Sequence, residues 1–164
     1  MTGWILVSAR AFNNETVFDS FENNFSEIVA LASRIVPDTS ETLLDGKPLS
    51  AAFDMGVLAP LYFVASRCRH TPIRRQALDL LRKRPTQEGI WNREMLSSVA
   101  ECIMQMEDVE CVGIGRGTDV PAIARIRVLN ATINSAERVI AFHCCRQQFR
   151  SSGEPHVLHE RVQY

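Results

Sequence analysis

Apolar side chains recur at helical spacing through most of this chain and change to alternation only near its end. Phe18, Phe21, Phe25, Ile28, Val29, Ala32 and Ile35 keep a 3–4 rhythm while Asp19, Glu22, Glu27 and Arg34 fall opposite, so the pattern predicts a helix over about 16–36, stopped by Pro37. A second helix is predicted over about 57–69, with Leu58, Leu61, Tyr62, Ala65 and Cys68 inward and Pro60 tolerated in its first turn. Thr71-Pro72 reads as a cap and first helical residue opening a third helix to about 84, lined by Ile73, Ala77, Leu80 and Leu81. Asn92 reads as the cap of a fourth, about 92–107, in which Met95, Leu96, Val99, Ala100, Ile103 and Met104 hold phase. The turn-forming residues between Pro37 and Asp54 predict a linker.

Beyond Glu107 the period shortens. Ala124, Ile126 and Val128 alternate with Arg125 and Arg127, which are expected to face outward; Ile140, Phe142 and Cys144 alternate likewise, with Asn134 to Glu137 as the turn. The expectation is a mainly α protein, a packed helical unit closed by a C-terminal β-hairpin over about 123–146, with residues 149–164 a loose tail.

Composition supports an ordinary globular chain: 164 residues, 46% apolar, 23% charged, net charge −1. No apolar run is long enough to span a bilayer, and Met1 to Val7 makes a poor secretory signal, so an intracellular setting without a membrane is expected. Charge is unevenly distributed. Residues 67–84 hold seven basic side chains and one acidic, whereas residues 1–66 hold three and eight. Clustered arginines can neutralise phosphates or dock an acidic partner, but Ile73, Ala77, Leu80 and Leu81 interleave with them, and the run reads better as the solvated face of amphipathic helices.

Motifs for chemistry are weak. Gly113, Gly115 and Gly117 follow a helix and lead to a strand, the reverse of a nucleotide loop. In His143-Cys144-Cys145 only His143 and Cys145 share a strand face, and no second ligand pair stands at a recognised spacing. Cys68 and His70 are too close in sequence to face each other on a helix, and no hydrolase, metalloprotease or phosphate-loop motif occurs. Neither catalytic nor cofactor residues are expected, and the five cysteines are expected to be free thiols.

One ordered string does carry a resemblance. Phe53-Asp54-Met55-Gly56-Val57-Leu58-Ala59-Pro60-Leu61-Tyr62, then Cys68-Arg69, Arg74-Arg75 and Glu88-Gly89-Ile90-Trp91, resembles the C-terminal part of the fungal-specific regulatory domain of fungal zinc binuclear cluster transcription factors. The similarity covers roughly residues 5–148, and residues 1–148 are expected to form a partial domain of that kind. The resemblance implies a non-enzymatic transcription-regulatory module of the nucleus, acting through protein contacts, with a homologous full-length regulator as one candidate partner. Family members bind DNA through six cysteines that hold two zinc ions, whereas this chain has no C-x2-C pair. No cofactor is therefore expected here, the zinc ions belonging to an N-terminal cluster outside this sequence, and DNA contact is expected only indirectly. Each residue of the string is expected to serve packing: Gly56 for a tight approach to the Pro60 helix, Trp91 and Tyr62 for buried area, and Arg74 and Arg75 for an ion pair with Glu88.

Overall fold

A computed structural model describes residues 15–35, 56–83, 87–88, 91–111, 119–149 and 155–164. It is mainly α, with a small antiparallel sheet at the C-terminal end. The first predicted helix is wound in two ways. Glu15–Phe21 is a 3-10 turn and α1 follows as Glu22–Ile35. Tight winding stacks side chains three apart, so Glu15 and Phe18 both turn into the protein, and Phe21 packs against the core. In α1, Phe25, Ile28, Val29 and Ala32 make the buried stripe.

The central helix is α2, Leu58–Arg67, in which Leu58, Leu61, Phe63, Val64, Ala65 and Ser66 are all buried. So wide an apolar surface belongs to a helix covered on several sides. Phe63 takes the edge of Phe18 at 5.8 Å and tilts against Phe25 at 6.0 Å, joining α2 to the N-terminal helices. Gly56, just before it, has φ +22°, a value that suits glycine, but nothing lies within 4 Å of where a Cβ would stand, so its place is set by the backbone turn and not by a close approach.

Helix α3 is Thr71–Arg82, starting one residue before the sequence reading: His70 is the cap position and supplies no side-chain hydrogen bond, while Pro72 sits in the first turn. The short strands β1 (Gln87–Glu88) and β2 (Trp91–Asn92) pair as a hairpin before α4, Arg93–Cys111. Asn92 caps α4 as expected, its Oδ1 accepting the Met95 N–H at 3.0 Å.

After a 3-10 turn, Ala122–Ala124, strands β3 (Ile126–Asn134), β4 (Val139–Phe149) and β5 (Pro155–Gln163) form one sheet in the order β3-β4-β5. The loose tail is thus corrected: residues 155–163 are a paired strand, and the hairpin is two-thirds of a sheet. The sequence hid β5 because the row that faces inward, Leu158, Glu160 and Val162, is interrupted by a charge, while Val157 beside it points out. Tyr164 closes the strand end, its N–H donating to the Arg138 carbonyl at 3.0 Å and its carbonyl accepting from Arg138 Nε at 2.5 Å.

Ile126, Ile140, Phe142 and Cys144 on the inner face join Met95, Leu96, Val99 and Ile103 of α4 in a core continuous with α1, α2 and α3. A bulge between Val128 and Asn130 leaves Leu129 out of the pairing and 48% exposed. Among the described residues no helix is long and apolar enough to cross a membrane.

Candidate functional site

Two residues of the string, Arg69 and Arg74, converge on a buried charge network. Arg69 leaves the end of α2 and donates from Nη1 to Glu107 Oε1 at 2.6 Å and from Nη2 to Glu15 Oε2 at 2.7 Å. Arg74, in the first turns of α3, donates from Nη1 to Glu107 Oε2 at 2.6 Å and from Nε to the Ala65 carbonyl at 3.3 Å. Glu107 Oε1 also accepts the Ile126 N–H at 2.8 Å, and Arg67 reaches Glu15 Oε1 at 2.5 Å. Glu107 is 0% exposed, Arg74 1% and Arg69 4%.

Five segments therefore meet at two carboxylates. Burial pulls the Arg69 guanidinium below its ordinary value, opposed by the charges of Glu107 and Glu15. Such a cluster is costly to desolvate, and its short hydrogen bonds offset that cost only in part, since Arg69 Nε and Arg74 Nη2 are buried without a partner among the described residues; its value lies in fixing how the elements meet.

Arg125 adds a neighbouring node. Expected to face outward, it is buried: it pairs with Asp19 at 2.9 Å, and its Nε donates to the Val120 carbonyl at 3.1 Å. The outward reading failed because Ala122–Ala124 is a 3-10 turn, which resets the alternation before β3 begins.

Other expectations on the string change as well. Arg74 pairs with Glu107 rather than Glu88. The Glu88 carboxylate instead accepts the Leu58 N–H at 2.8 Å, capping the start of α2. Arg75 is 63% exposed and 3.9 Å from Asp108, a surface pair of little energetic weight. Trp91 is 38% exposed and supplies less buried area than expected, whereas Tyr62 packs against the core and burial pushes its phenol up. Pro60 and Leu61 lie in α2 as read, with Leu61 fully buried. Asp54, Met55 and Gly89 lie outside the described residues, as do the 37–54 linker and the glycines of 113–117.

The sequence reading missed Glu15 and Glu107. Glu107 carried a signal, since it continues the buried stripe of α4 four residues after Ile103. An acidic residue in phase with a core stripe asks for a buried cation, and Arg69 and Arg74 answer it. The basic run is thus only partly a solvated face.

Cys68, Cys102, Cys144 and Cys145 are free thiols. Burial pushes Cys68 up to about 11, and its thiol donates to the His70 carbonyl at 3.8 Å. Cys144 is likewise pushed up to about 11, chiefly by burial, and Cys102 and Cys145 move in the same direction for the same reason. These are neutral, poorly nucleophilic thiols at neutral pH. His143 lies on the outer face of the sheet, opposite His159, with ring centres 4.3 Å apart. Among the described residues no cluster of three or more histidine, cysteine or acidic side chains is placed to hold a metal ion.

Between α3 and α4 runs an open groove of about 270 Å³ whose walls include Leu78, Met104 and the Arg82–Glu101 ion pair at 2.7 Å. Fold and site together define a mainly α scaffold with a small antiparallel sheet, locked by an internal arginine–carboxylate network. Scans against protein-family models, curated proteins and solved structures return no match to this chain.

Proposed function

We propose that this chain is a regulatory, protein-contacting module of the kind found in fungal zinc-cluster transcription factors, working in the nucleus without a DNA-binding element of its own. The observation that carries the reading is where the string spends its charged residues. Arg69 and Arg74, two arginines of the basic run, are turned inward onto Glu107, and Glu88 is used on the start of α2. A string whose charges hold helices together suits a scaffold, and what the scaffold offers to partners is its outer surface. That surface includes Leu129 and Ile133 of the edge strand β3, 48% and 52% exposed. DNA contact, on this reading, is made by a zinc cluster outside this sequence.

A second reading, a standalone domain that pairs with a homologous regulator through the first helix, requires an exposed apolar face along Phe18–Val36. Phe18, Phe25, Ile28, Val29 and Ala32 are buried instead, and Leu31 is the large apolar side chain that stands out on the described part of this helix. The regulatory reading is therefore preferred.

The test is tethering. Residues 1–164 fused to a heterologous DNA-binding domain are expected to change transcription of a reporter in a fungal cell, and Leu129→Asp with Ile133→Asp is expected to abolish the change without loss of fusion protein. A stably expressed fusion with no effect on the reporter overturns the proposal.

A further inference from the structure

Sequence reading left His143 without a metal-ligating neighbour because its counterpart lay in the presumed tail. Once residues 155–163 pair as β5, the register sets His143 directly opposite His159. Both side chains are exposed on the outer face of the sheet, away from the helices, and their rings stand 4.3 Å apart at 73°. Among the described residues no protein group hydrogen-bonds either imidazole.

We propose that His143 and His159 form a two-imidazole site for a divalent first-row transition ion of the zinc or copper class on the solvent face of the sheet. Two imidazoles sharing one ion at about 2.1 Å have ring centres about 4.6 Å apart at a right angle and about 5.3 Å at the tetrahedral angle, so the observed pair must open by up to about 1 Å through side-chain rotation to bind. The strands hold the second ring where the first has already placed the ion, which makes its contribution intramolecular.

The neighbourhood selects nitrogen over sulfur. Cys145 is the next residue of β4 on that face, but it is buried, 9% exposed, and so less open to an ion from solvent than the two exposed imidazoles. Asn130, which pairs with His143 from the other side, offers an amide oxygen. Arg127 and Arg161 share the face, paired with Cys145 and Ala141, and their charge keeps the affinity modest and the ion exchangeable. Imidazole donors with open positions suit zinc and copper, and water completes the coordination.

Equilibrium dialysis of the full chain against Zn²⁺, with thiols kept reduced, tests the site. One ion per chain is expected. His143→Asn and His159→Asn are each expected to weaken binding about a hundredfold, with Cys145→Ser unchanged. In the unaltered chain, Zn²⁺ is expected to shift the imidazole ¹⁵N resonances of His143 and His159 together, a readout that does not depend on any variant folding. No stoichiometric uptake, uptake that survives both histidine variants, or uptake lost in Cys145→Ser each overturns the proposal.

Discussion

Arg74 and Glu107 meet at 2.6 Å with side chains 1% and 0% exposed, an ion pair wholly inside the protein. Removing one member leaves the other charged and buried. Glu107→Gln is expected to cost about 3–5 kcal/mol, because it strands the buried Arg74 and leaves Arg69 with Glu15 alone. The double change Arg74→Met with Glu107→Leu is expected to cost clearly less than its two single changes summed, since Arg69 keeps Glu15. Urea unfolding midpoints at constant slope measure both, and additive single effects would show that the pair is not coupled.

Glu88 carries a smaller and separable load. Its carboxylate satisfies the Leu58 N–H at the opening of α2. Glu88→Ala is expected to lower stability by about 1 kcal/mol, the ordinary worth of a helix-start acceptor. Glu88→Gln, which keeps an acceptor oxygen, is expected to recover part of that loss in the same unfolding assay.

The C-terminal strand is structural. Ending the chain after Glu154 removes β5, opens the edge of β4 and uncovers the inner row around Phe142 and Cys144. The shortened protein is expected to melt at a lower temperature and to bind a hydrophobic dye. An unchanged melting curve by circular dichroism would contradict the paired strand.

Alkaline pH reads the buried thiols. Cys68 and Cys144 are raised from 9.0 to about 11 in the folded protein. A raised folded value means that the unfolded chain loses these protons first, so their contribution is fully present below pH 9.0 and is lost as pH climbs through about 11. Cys68→Ala with Cys144→Ala is expected to flatten the fall in stability across that window. In the unaltered chain at pH 8, both thiols are expected to resist a maleimide until denaturant is added, and rapid native labelling of either would refute their burial.

The four helices were legible in the sequence because each is a local matter: a stripe of apolar residues every three or four positions decides which face is buried, whatever it is buried against. Phe25, Leu61, Leu81 and Ile103 all went to the core as their spacing predicted. The β3–β4 hairpin was legible for the same reason, since its alternation and turn lie within one short stretch. The charges and the third strand were not legible. Glu15 and Arg69 are 54 residues apart, and Asp19 and Arg125 are 106 apart. Nothing local tells an arginine whether a distant carboxylate waits inside, and nothing in Val157-Leu158-His159-Glu160 declares a strand until β4 offers its edge. Apolar burial is a property of one residue against water, and a sequence can state it; an ion pair, a ladder of hydrogen bonds or two facing histidines is a property of two distant residues, and only the folded chain decides it.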